Sequence, residues 1–161
     1  MDESLETKIG LLLRERGLRI ATAESCTGGL IAHRITDVAG SSDYFLGGVV
    51  AYANEAKVGQ LGVLWDTLRA HGAVSRETAL EIARGARAAF GAEIAVSVTR
   101  IAGPGGGLPG KPVGTTWVGL STPEGDWARH FVWAGDRQAN KQLSAEAALT
   151  FVLDYFRGQA G

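Results

Sequence analysis

Apolar residues recur along this chain with two different periods, and the alternation between them predicts the elements. Leu5, Ile9, Leu12 and Leu13 keep helical spacing, so residues 3–16 read as a helix that stops at Gly17. Leu18 to Thr22 reads as a short buried strand. From Thr27 a second helix is expected, with Leu30, Ile31, Ile35 and Val38 on one side and an end near Gly40. Ser41 to Asp43 is polar turn material, and Phe45 to Tyr52 is an apolar, glycine-containing run that reads as a buried strand. Asn54 has the chemistry of an N-cap, with Glu55 in the first turn and Lys57 near the third position of a helix ending by Gly62.

Trp65 to His71 predicts a further helical turn. Ser75 then caps a longer helix with Ala79, Ile82, Ala83, Ala86 and Phe90 inward, closed by Gly91. Residues 93–99 alternate as a strand, with Ile94, Val96 and Val98 on one face. The segment 100–112 is too rich in Gly and Pro for regular structure. Val113 to Ser121 and Trp127 to Trp133 read as a hairpin, and Asp136 caps a last helix running to about Phe156. Helices alternate with strands and a hairpin is appended. The fold class expected is α/β: a three-layer α/β/α sandwich with a mixed sheet, mostly parallel plus the antiparallel hairpin. No linker shows, so residues 1–161 read as one domain.

Composition narrows the function classes. The formal charge is −1 and no segment is strongly basic, which argues against nucleic acid as the main ligand. Met1 to Thr7 is acidic rather than apolar, so it does not read as a signal peptide, and no stretch suits a membrane span. The single cysteine, Cys26, excludes an internal disulfide and fits a reducing cytoplasm. Three scattered histidines and one cysteine make a poor metal set, so neither metal nor cofactor is expected.

Polar groups follow the apolar strands at four places: Ser25 to Gly29, Tyr52 to Lys57, Thr99 to Gly107, and Gly135 to Arg137. Turns of this kind converge at one sheet edge in α/β proteins and form ligand sites there. Ser25 stands before Thr27, Gly28 and Gly29, where unobstructed N–H groups at a helix start could receive an oxyanion. The other reading of the same residues is an ordinary helix cap. No histidine lies near Ser25 in sequence, which makes Lys57 the better base, because a lysine withdrawn from water loses its proton more readily. A solvated surface lysine is the alternative. Tyr52, five residues earlier, could donate from its hydroxyl or simply pack. Cys26 is intrinsically the more nucleophilic group but lacks a histidine partner, and reads as packing. Gly103 to Gly107 lacks the Gly-Lys-Ser/Thr ending of a P-loop and reads as backbone hugging a ligand or a neighbouring turn. Arg137 could pair with phosphate or carboxylate.

Taken together, T-A-E-S-C-T-G-G (22–29), V-A-Y-A-N-E-A-K (50–57), I-A-G-P-G-G-G (101–107), K-P-V-G-T (111–115) and G-D-R (135–137) occur in order over almost the whole chain. This set resembles the CinA C-terminal domain family, the nicotinamide-mononucleotide deamidases, in its stand-alone form. The resemblance implies hydrolysis of nicotinamide mononucleotide to nicotinate mononucleotide and ammonia, in pyridine-nucleotide recycling. It implies Ser25 as nucleophile, Lys57 as base and Tyr52 as their assistant. It also implies Thr27, Gly28 and Gly29 around the oxyanion, with Arg137 and the loop from Thr99 through Gly103 on ribose and phosphate. It further implies a homodimer or higher homo-oligomer. The alternative is a weakly active or inactive module of the same family, binding a nucleotide or a protein partner in competence or recombination.

One position departs from the family pattern. Where the family reads Thr-Gly-Ile-Ala-Gly-Pro, this chain reads Thr99-Arg100-Ile101-Ala102-Gly103-Pro104. Arg100 has two fates open to it: inward, as a substrate contact, or outward, with a backbone cost wherever glycine's positive φ is needed. On the argument of room and backbone freedom, Arg100→Gly is expected to preserve or raise turnover.

Overall fold

The computed structural model describes residues 3–161; Met1 and Asp2, which open the acidic N-terminal stretch, lie outside the described residues. Six α-helices and five strands follow in the order α1 (Leu5–Arg16), β1 (Ile20–Glu24), α2 (Leu30–Thr36), β2 (Phe45–Val50), α3 (Asn54–Leu61), α4 (Trp65–His71), α5 (Arg76–Phe90), β3 (Ile94–Arg100), β4 (Thr115–Thr122), β5 (Gly125–Val132) and α6 (Arg137–Phe156). Residues Ser41–Asp43 form a single 3₁₀ turn. The strands make one sheet in the order β2-β1-β3-β4-β5. The pairs β1–β2 and β1–β3 are parallel, while β3–β4 and β4–β5 are antiparallel. The sheet is therefore mixed in equal measure rather than mostly parallel, because β4 returns beside β3.

Each face of the sheet carries its own apolar core. On one face Ile9 and Leu13 of α1, Ile31 and Ile35 of α2, and Leu149 and Phe151 of α6 pack on Val96 and Val98. On the other, Leu61 of α3, Leu68 of α4, and Ile82 and Ala86 of α5 pack on Ala21, Ala23 and Ala95. Alternation along β1 and β3 sends neighbouring residues to opposite cores, which is the origin of the three layers. The approach of α5 to α3 is close enough to require Gly85: a Cβ there would stand 1.9 Å from the Leu61 carbonyl oxygen.

Helix ends follow the local chemistry. Ser4, Ser75 and Asp136 accept from Thr7, Thr78 and Ala139 amides, and Gly17, Gly62 and Gly91 take the left-handed conformation that ends α1, α3 and α5. Three further expectations need correction. β2 is an edge strand whose residues alternate between half-buried and exposed, not a buried one, since β1 covers only one of its sides. α3 is capped by Ala53 without a side-chain bond, so Asn54 is its first residue and Lys57 its fourth. α2 begins at Leu30, not Thr27, because Gly28 and Gly29 have φ of 62° and 103° and cannot extend the helix backwards.

Topology brings the site together. The chain leaves β1 toward the α2 face and leaves β2 toward the α3 face, so a crevice opens at the carboxyl ends of these strands. β3 runs parallel to β1, and β5, antiparallel to β4, ends at the same edge. The four polar turns singled out in the sequence all emerge there.

Candidate active site

A cavity of about 320 Å³ lies at this edge, lined by Ser25, Cys26, Tyr52, Asn54, Lys57, Thr99, Arg100, Gly103 and Arg137, together with Ala73, Val74, Ala102 and Gly105. Ser25, Lys57, Tyr52, Thr99, Arg100, Gly103 and Arg137, proposed from the sequence for different roles, thus line one cavity. Thr27, Gly28 and Gly29 do not. They line a larger cleft of about 790 Å³ against the first turn of α6.

Ser25 follows the last residue of β1 and is 8% exposed, and its N–H donates to the Val98 carbonyl at 3.2 Å. That bond carries the β1–β3 pairing one residue past the strand and holds the serine at the cavity wall. Lys57 is 2% exposed, and its Nζ donates to the Tyr52 carbonyl oxygen at 2.9 Å. Burial pushes the Lys57 amine below its ordinary pKa, against smaller opposing pulls from Cys26 and Glu55. No hydrogen bond joins Ser25 Oγ to Lys57 Nζ in this structure. Tyr52 meets the lysine through its main chain, and the residue is 62% exposed. The Tyr52 hydroxyl, from which help was expected, makes no hydrogen bond to Ser25 or Lys57 here, though the residue lines the cavity.

Thr99 Oγ1 donates to the Ala73 carbonyl at 2.9 Å, which ties the end of β3 to the segment before α5. Arg137 Nη2 donates to the Gly103 carbonyl at 2.6 Å, so this guanidinium holds the glycine-rich loop in place. Burial raises the Cys26 thiol above its ordinary pKa, opposed by the adjacent Arg100 guanidinium. A thiol of that kind suits packing in the core, where Cys26 also belongs.

Glu24 carries a role the sequence reading missed. Its carboxylate is buried and accepts from Thr27 Oγ1 at 2.7 Å, Ile31 N at 2.8 Å and Ala32 N at 3.0 Å. The Gly28 N–H meanwhile donates to the Ser25 carbonyl at 3.1 Å, closing the turn. The first amides of α2 are therefore satisfied from within the protein, and the helix start is not the open anion site expected. The signal was present: an acidic residue at the end of an apolar strand, three positions before a threonine and six before the helix. Glu24→Ala would strand three donors and is expected to lower stability by about 2–4 kcal/mol. Glu24→Gln, which keeps an acceptor oxygen, should cost less. Urea midpoints of the three proteins check the order.

Arg100 turns inward. It is 5% exposed, and Nε, Nη1 and Nη2 all lack a hydrogen-bond partner among the described residues. No described non-glycine residue has positive φ, so the backbone cost expected at this position is absent. Of the two directions open to it, the side chain takes the inward one, toward the cavity.

No described helix is long and apolar enough to cross a membrane. Among the described residues no three or more His, Cys, Asp or Glu side chains gather as a metal set.

Comparison with known proteins agrees with this architecture. Residues 2–156 match the CinA C-terminal domain family. The chain is 54% identical over 158 residues to a CinA-like protein of Chloroherpeton thalassium, covering 95% of this chain and 37% of the relative. It is 54% identical over 148 residues to a CinA-like protein of Salinibacter ruber, covering 92% and 36%. It thus spans little more than a third of the length of these relatives. Among solved structures, the competence/damage inducible protein CihA of Agrobacterium tumefaciens superposes with a TM-score of 0.89 at 41% identity, with 92% of each chain covered. The competence damage-inducible protein A of Klebsiella pneumoniae superposes with a TM-score of 0.87 at 36% identity, with 91% of each covered. With this agreement of sequence and fold, the chain belongs to the CinA C-terminal domain family.

Proposed function

We propose that this chain is an amidohydrolase that converts nicotinamide mononucleotide and water to nicotinate mononucleotide and ammonia, with Ser25 and Lys57 as the reacting pair. The observation that carries the proposal is a lysine, buried and depressed in pKa, lining the same cavity as a serine at the carboxyl edge of the sheet. A neutral Lys57 amine can donate one N–H to the Tyr52 carbonyl and still offer its lone pair. It takes the proton of Ser25 as Oγ bonds to the carboxamide carbon. The same proton passes to the leaving nitrogen as the C–N bond breaks, giving ammonia and a serine ester. Lys57 then takes a proton from water as the water oxygen attacks the ester. Returning that proton to Ser25 Oγ frees the carboxylate product. The N–H group of Cys26, which lines the cavity and donates to no carbonyl among the described residues, would meet the oxyanion.

Incubating the purified chain with nicotinamide mononucleotide and assaying ammonia together with nicotinate mononucleotide tests the reading. Release of neither overturns it. The second reading, a family module that binds an anionic ligand without turnover, is favoured by one observation, the unpartnered Arg100 in the cavity. Binding without ammonia would establish it.

The assembly we propose is a homodimer or a larger homo-oligomer built on the exposed β2 edge. Leu46 and Val50 on that strand, and Leu64 and Trp65 near α4, are exposed apolar residues. Light scattering at micromolar concentration should give at least twice the chain mass, and a monomer mass rejects the assembly.

A further inference from the structure

The cavity holds more positive charge than the proposed amide chemistry uses. Lys57, Arg100 and Arg137 line it, and no aspartate or glutamate does. Arg137 has a carbonyl partner in Gly103. Glu24, buried close by in sequence to Ser25, is already engaged by three donors. Arg100 alone is buried with all three nitrogens unpartnered among the described residues. An unneutralised guanidinium withdrawn from water is strongly unfavourable and calls for an anion.

The register of the sheet says where that anion would sit. Glu24 pairs with Val98, and the Ser25 N–H donates to the Val98 carbonyl. Side chains alternate along both strands. Thr99 therefore faces the Ala73 side, toward α5. Arg100 faces the other way, on the side of Val96 and Val98, beside Cys26. Ser25 and Lys57 thus lie at one part of the cavity and the guanidinium at another. One ligand spanning both needs an amide at one end and an oxyanion set apart from it. A guanidinium fork matches the paired oxygens of a phosphomonoester, and it disfavours a positively charged ring.

We propose that Arg100 is the specificity-determining residue of this site, receiving the phosphomonoester of a substrate whose carboxamide lies at Ser25. This rests on the amidohydrolase reading for the far end of the ligand. It reverses the expectation that glycine at position 100 would serve as well. The same chemistry could come from free inorganic phosphate, so the test separates the two.

The test is titration calorimetry on the Ser25→Ala protein, which cannot consume its ligand, and on the Ser25→Ala, Arg100→Gln protein. The probes are nicotinamide mononucleotide, nicotinamide riboside and inorganic phosphate at fixed ionic strength. Arg100→Gln should weaken the mononucleotide at least tenfold, about 1.4 kcal/mol, and change the riboside less than about twofold, as a contact to the phosphate alone requires. If the mononucleotide and riboside weaken equally, or neither weakens, the proposal fails, and ammonia release by the parent protein decides the amidohydrolase reading separately. If phosphate binds through Arg100 and the mononucleotide does not bind, free phosphate is the occupant, and both the substrate assignment and the amidohydrolase reading fall. Melting temperatures guard against a structural effect. Without ligand, Arg100→Gln and Arg100→Met should melt no lower than the parent, because they remove an unpaired buried charge. A lower melting temperature in both would mean that the guanidinium already has its partner within the fold, and would overturn the proposal.

Discussion

Ser25→Ala is expected to release no measurable ammonia from nicotinamide mononucleotide, a loss of at least about a thousandfold in kcat, while the melting temperature stays close to that of the parent. The hydroxyl makes no hydrogen bond on which the fold depends, and the serine's structural bond, from its N–H to Val98, is untouched by the change. Cys26→Ala is the control. The thiol lies in the core and its pKa is raised by burial, so it is protonated where a nucleophile would have to be ionised. It should keep most of the activity. A dead Cys26→Ala beside an active Ser25→Ala would reverse the assignment.

Lys57→Met is expected to reduce turnover by about 10²–10⁴-fold, the range for removal of a general base. It should not lower stability, since an apolar side chain of similar length replaces a buried amine. Lys57→Arg should be equally inactive, because a guanidinium stays protonated. The pH dependence has a definite sign. The working form is the neutral amine, so kcat/KM should rise as pH increases and level off above the pKa of Lys57. Burial lowers that pKa, so the plateau should come below the ordinary lysine value of about 10.4. A flat profile, or an active Lys57→Arg protein, would remove lysine as the base.

The two predictions depend on different kinds of information. That Ser25 follows a strand and precedes a helix was legible from local pattern, and so were the caps at Ser75 and Asp136 and the stops at Gly17, Gly62 and Gly91. These features depend on a few consecutive residues: side-chain acceptors for orphan amides, and glycine where φ is positive. The convergence of four turns on one edge was legible too, because alternating strands and helices constrain how the chain can return.

Other features depend on what lies across space. Lys57 is identical in sequence whether solvated or buried, and only the packing of α3 against the sheet lowers its pKa. Gly28 and Gly29 look like a helix start until Glu24, from the preceding strand, claims the Ile31 and Ala32 amides. Arg100 could turn either way, and the alternation of β3 against β1 directed it beside Cys26 rather than toward solvent. Local sequence determined which elements form and where they stop, because backbone conformation and capping are short-range. The tertiary structure alone decided which polar groups are paired, because burial and neutralisation depend on neighbours brought together from β1, β2, β3 and α6.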